Sequence, residues 1–103
     1  MSRSFSPADG NTVNINVAAT SARVLVGKRN SPMNVRIVNG GSAIAWIKAG
    51  GSTVTATTTA DIPIGPGVHE VLTFWPDQNG NLYIAAIAAG STGYIYFTVG
   101  EGI

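Results

Sequence analysis

The chain has 103 residues, enough for one small domain with a modest core. Charged side chains make up 11%, against about 25% in an ordinary soluble domain, mean hydropathy is slightly positive, and cysteine is absent. Disulfides and thiolate metal sites are thereby excluded, no apolar run approaches the roughly 20 residues of a membrane helix, and a net charge of +1 lacks the basic excess expected of a nucleic-acid binder.

Residues 1–11, MSRSFSPADGN, show no period and read as a flexible N-terminal arm, with no apolar stretch of the signal-peptide kind. Residues 12–103 read as a single domain with a short C-terminal tail, GEGI. TVNINV (12–17) alternates, placing Val13, Ile15 and Val17 on one face and Asn14 and Asn16 on the other. RVLVG (23–27) is a second short strand, and Asn30-Ser31-Pro32 turns the chain.

VRIVNGGSAIAWIKAG (35–50) reads as a β-hairpin folded about Gly40-Gly41. In that hairpin Val35, Ile37, Ile44 and Trp46 share a core face. Val38, Ala43, Ala45 and Ile47 share the other face with Arg36, its one charge. A hairpin with one solvated face alternates more cleanly than this. The second face is therefore expected to be covered, either by another segment of the chain or by a second subunit.

STVTATTTA (52–60) is polar on both faces and suits an edge strand or an extended loop. The prolines and glycines of DIPIGPG (61–67) are expected to end regular pairing. VHEVLTFW (68–75) is a strand, followed by a turn over residues 76–81. LYIAAIA (82–88) is read as a strand in spite of its alanines. In YIYFTV (94–99) Ile95, Phe97 and Val99 take one face, and Tyr94, Tyr96 and Thr98 the other. About eight short strands at regular spacing predict an all-β sandwich or barrel.

The charges are segregated. All six basic residues lie at or before Lys48, with Asp9 as the one acid there, while Asp61, Glu70, Asp77 and Glu101 follow. Either the split is incidental in a charge-poor chain, or complementary patches orient neighbours in an assembly.

The residues point away from an enzyme. His69 is the one histidine, and its neighbour Glu70 falls on the opposite strand face. Asp9 and Asp77 stand beside glycine or proline and Asp61 lies two residues before Pro63, where turn chemistry accounts for an aspartate. Residues 77–81, DQNGN, begin like a calcium loop but lack its later glutamate. No GxxxxGKS or GxxxxGKT phosphate loop occurs, and no cofactor, nucleic-acid or membrane partner is expected. Trp75 and the tyrosines leave a carbohydrate-binding module as an alternative. Tyr94 and Tyr96, sharing one face, suit a contact with another protein subunit.

Three stretches, VRIVNGGSAIAWIKAG, TATTTADIPIGPGVHEVLTF and GYIYFTVGEGI, carry a resemblance that spans residues 33–103. Together they resemble the small head decoration, or cement, proteins of tailed bacteriophages, that of a Bordetella phage among them. The resemblance implies a jelly-roll-like β-sandwich on the outer surface of the virion head, made in the host cytoplasm. It implies the major capsid protein as partner, bridged between neighbouring subunits, and self-association as a homodimer. A tail- or fibre-associated virion protein is the nearest alternative. The family offers no catalytic residues to carry over. The residues expected in protein contacts are Arg3 and Phe5 on the arm, Arg36 and Ile47 on the second hairpin face, and Tyr94 and Tyr96.

Overall fold

The computed structural model describes residues 6–90 and 92–101. They form eight strands: β1 (Ser6–Val17), β2 (Ala22–Lys28), β3 (Met33–Asn39), β4 (Ala45–Gly50), β5 (Ile62–Ile64), β6 (His69–Phe74), β7 (Asn81–Ile87) and β8 (Gly93–Glu101). They make two antiparallel four-stranded sheets, sheet A in the order β1-β8-β3-β6 and sheet B in the order β2-β7-β4-β5. The pairings are nested: β1 with β8, β2 with β7, β3 with β6 and β4 with β5. Contacts β3–β8 and β4–β7 then close each sheet. A long antiparallel ribbon rolled up in this way is a jelly roll, as expected.

The core lies between the sheets. Ile15, Val17, Val35, Ile37, Ile95 and Phe97 of sheet A face Ala45, Ile47, Ile64, Leu82, Ile84 and Ala86 of sheet B, and all are buried. The period-two patterns of residues 12–17 and 94–99 fall on the expected faces, and residues 82–88 form a strand and not a helix.

The hairpin expected over residues 35–50 does not form. β3 and β4 belong to different sheets, and the chain crosses the sandwich between them. Beyond Asn39 the backbone keeps following β8, with Gly40 N–H donating to the Tyr94 carbonyl at 2.9 Å and Ser42 N–H to the Thr92 carbonyl at 2.8 Å. Freed from a shared register, β4 sets its own parity. Ala45 and Ile47 turn into the core, Trp46 is half-buried on the outside, and Ile44 is 42% exposed just before the strand.

Asn39 fixes this crossover. It is the fully buried polar residue among those described, and its hydrogen-bonding groups are satisfied. Its amide nitrogen donates to the carbonyls of Ala43 (3.0 Å) and Ile64 (2.8 Å), and its amide oxygen accepts from Gly41 N–H (2.9 Å). Its backbone donates to the Val68 carbonyl and accepts from Gly67 N–H. One side chain thus ties the end of sheet A to the start of sheet B.

Three further expectations are revised. The segment DIPIGPG contributes β5, whose three residues pair with Ala45, Trp46 and Ile47. Residues 6–11, placed in the N-terminal arm, belong to β1, with Ser6 opposite Glu101 and a register break before Thr12. Gly100 and Glu101 of the expected tail continue β8.

Candidate docking face

A sandwich has two outer faces, and here they differ. On sheet B, Ala85 alternates with the core residues Ile84 and Ala86, so it points outward, yet its exposure is 0%. Residues 51–61 cover it. A Cβ placed on Gly50, which shares the outward parity of Trp46 and Lys48, would meet a Val54 methyl at 3.0 Å. Ala56 is buried, and its N–H donates to Ser21 Oγ at 2.9 Å, just ahead of β2 on the far side of β7. The connection therefore crosses the outside of the sheet. The second hairpin face expected from the sequence does not exist as one surface: Ala45 and Ile47 are buried between the sheets, while Arg36 and Val38 lie on the outer face of sheet A.

The turns beside this roof account for Asp61 and Asp77. Asp61 Oδ2 accepts from the Thr57 N–H and hydroxyl. Asp77 Oδ1 accepts from the backbone N–H groups of Asn79 and Asn81, both at 2.9 Å. Turn chemistry is their role here. Among the described residues, no cluster of three or more His, Asp or Glu side chains would hold a metal ion.

Among the described residues, none covers the outer face of sheet A in this way. Its strands present rows of residues set by the register. Asn14, Tyr96, Val38 and His69 form one row across β1, β8, β3 and β6. Thr12, Thr98, Arg36 and Val71 form the next. Asn16 and Tyr94 flank the first row on one side, and Asn34 and Thr73 the second on the other. None of these residues is buried.

Side-chain contacts give the face a fixed relief. The Tyr94 and Tyr96 rings lie 6.3 Å apart at 34°. Gly40 allows this placement: a Cβ there would stand 3.2 Å from the Tyr96 ring and 3.2 Å from the Tyr94 carbonyl. The Thr12 and Thr98 hydroxyls are 2.8 Å apart, and Thr73 Oγ1 donates to Asn34 Oδ1 at 2.6 Å. The result is a surface of amides, hydroxyls and two exposed aromatic rings, with Val38, Val71, His69 and Arg36 among them. Such a surface offers hydrogen bonds and stacking, and its rigid aromatics lose little entropy when they bind.

The comparisons support the architecture. No protein-family model and no curated protein sequence matches the chain. The fold itself has a solved counterpart. A crystal structure of PirA is similar with a TM-score of 0.58 at 12% identity, covering 89% of this chain and 95% of that one. At that identity the likeness shows the fold alone.

Three of the expected contact residues, Arg36, Tyr94 and Tyr96, lie together on the bare face, with Arg36 one row from Tyr96. Ile47 leaves the set. It has 0% exposure in the inter-sheet core, because β4 does not share β3's register. Arg3 and Phe5 lie outside the described residues. Asn14, Asn16, Val38 and His69 join the face. Their outward parity could be read from the alternation of their own strands, but their assembly depends on a strand order that no local signal reveals.

Trp75 follows the last residue of β6 and is 74% exposed.

Proposed function

We propose that this chain is a structural virion protein that decorates and stabilises a phage capsid. It docks through the outer face of sheet A and bridges neighbouring major capsid protein subunits. The observation that carries the docking face is the asymmetry between the two sheets: one is roofed by residues 51–61, while the other exposes Tyr94 and Tyr96 among asparagine and threonine side chains, with Arg36 one row away. The resemblance of residues 33–103 to head decoration proteins supplies the identity of the partner.

The role is binding and not a reaction. A protein that touches several capsid subunits gains avidity through effective concentration, even where each contact is modest. Because its site exists only on the assembled shell, binding stabilises that state by linkage.

The test compares cognate capsid shells with and without the chain. Decorated shells are expected to withstand higher temperature before disruption and to show the protein on their outer surface. Equal heat resistance, with no protein on the shell, contradicts the proposal. A carbohydrate-binding role is the second reading, favoured by the exposed Trp75 and by the tyrosine and asparagine side chains gathered on one face. Glycan-array binding together with no affinity for shells would select it.

A further inference from the structure

The four sheet edges are not equally protected. An open edge offers unpaired N–H and C=O groups to any passing strand, and proteins blunt it with proline, bulges, charge or brevity. β1 contains Pro7, which has no N–H, and a register break before Thr12. β2 has a break between Leu25 and Gly27 and carries exposed Arg23 and Lys28. β5 has three residues, Pro63 among them.

β6 is different. It lies at the end of sheet A, runs six residues without proline or bulge, and has no buried residue. Its one charged device is Glu70, opposite Ile37 on the inward side. Apolar groups flank the strand, with Val68 38% and Trp75 74% exposed.

The direction of its free hydrogen bonds can be assigned. The Val68 carbonyl accepts from Asn39 N–H on β3. In an antiparallel ladder a residue's N–H and C=O point to the same side, and the side alternates along the strand. Val68, Glu70, Leu72 and Phe74 therefore face β3. His69, Val71 and Thr73 direct their backbone groups outward.

We infer that this edge is a homodimer seam, in which β6 of two copies pair antiparallel about Val71 and join the two A sheets into one eight-stranded sheet. The strand is complementary to itself in that register. His69 pairs with Thr73 of the partner subunit, Val71 with Val71 of the partner subunit, and Thr73 with His69 of the partner subunit. Every outward backbone group of the three residues is then used, in about six hydrogen bonds. Val71 meets its β-branched twin on the outer side, a favourable cross-strand pair. Val68 meets Phe74 of the partner subunit on the inner side, and Glu70 meets Leu72 of the partner subunit.

Neighbouring registers fit less well. Centring on Glu70 sets two carboxylates opposite each other, which is destabilising. Centring on Leu72 carries His69 past the strand end, opposite Trp75 of the partner subunit. A slip of one residue turns the outer face of one copy inward. In the Val71 register the bare faces of both copies lie side by side, so the dimer presents two Tyr94–Tyr96 pairs on one surface. This inference rests on the edge alone and stands independently of the capsid reading.

The test is sedimentation equilibrium of the full chain over a micromolar concentration series, with Val71→Pro and Val71→Lys beside it. The Val71 N–H points away from β3, so proline there spares the β3–β6 ladder. The wild type is expected to be a dimer, and both variants are expected to weaken its Kd at least ~tenfold while keeping the wild-type circular dichroism spectrum. Because the chain has no cysteine, Val71→Cys also reports the seam directly, through linkage of two copies by a short bifunctional thiol reagent. A monomeric wild type overturns the inference. So does an undiminished dimer in Val71→Lys, or the absence of linkage in a dimeric Val71→Cys.

Discussion

Asn39→Ala is expected to destabilise the fold by about 3 kcal/mol, a large share of the roughly 5–15 kcal/mol that holds a domain together. The reason is the number of groups it serves. Truncation strands the carbonyls of Ala43 and Ile64 and the N–H of Gly41, all of which now end on one buried side chain. A buried polar group left without a partner costs about 1–3 kcal/mol, and part of that is recovered where water can enter. Asn39→Asp provides a sharper comparison. It keeps the shape and the acceptor for Gly41 N–H, but it replaces two donated hydrogen bonds with a carboxylate facing two carbonyl oxygens. It is expected to lose at least as much as alanine at neutral pH. Urea denaturation would report both losses as a lower midpoint with an unchanged slope. If Asn39→Asp retains wild-type stability, the side chain does not donate across the sheets and the crossover is held by something else.

The second large effect is at Ile47. With 0% exposure in the inter-sheet core, Ile47→Ala is expected to cost about 2–5 kcal/mol, combining the lost transfer energy with the cavity left behind. Ile44, 42% exposed, is expected to cost about 1 kcal/mol or less when truncated in the same way. The pair discriminates between two folds of the same stretch. A hairpin about Gly40-Gly41 puts Ile44 in the core and Ile47 on the second face, whereas the crossover puts Ile47 in the core and leaves Ile44 at the surface. Thermal or denaturant unfolding of the two alanine variants, read side by side, decides the order.

These two residues also show where sequence reading succeeds and where it stops. Strand parity is local. Val13, Ile15 and Val17, or Ile95, Phe97 and Val99, announce their faces by alternation alone, and the structure agrees. Pairing is not local. Ile15 lies opposite Ile95, and nothing within either strand names the other.

The Asn39-Gly40-Gly41-Ser42 stretch carries a strong hairpin signal. Two longer-range interactions defeat it: continued bonding of Gly40 and Ser42 to the β8 side, and capture of the Ala43 and Ile64 carbonyls by Asn39. Once the hairpin is lost, the assignment of Ile47 to a second, contact-making face is lost with it.

The roof over sheet B was legible in part. In STVTATTTA, Val54 and Ala56 alternate with threonines, and those two positions turn toward the protein while Thr53, Thr55 and Thr57 stay exposed. The apolar share of the segment was too small to mark it as a cover. The docking face had the opposite character. Tyr94, Tyr96 and Arg36 were identifiable one by one, and only the strand order β1-β8-β3-β6 brings them beside Asn14, Asn16 and His69.

The claim that the outer face of sheet A docks the protein to a shell is tested most directly by cosedimentation of cognate capsid shells with the wild type and with the double variant Tyr94→Ser/Tyr96→Ser. Both rings are exposed, so the variant should keep the wild-type unfolding temperature within a few degrees. Aromatic anchors dominate protein interfaces, and binding to shells is expected to weaken at least ~tenfold. Binding of the folded double variant with wild-type affinity would contradict that claim.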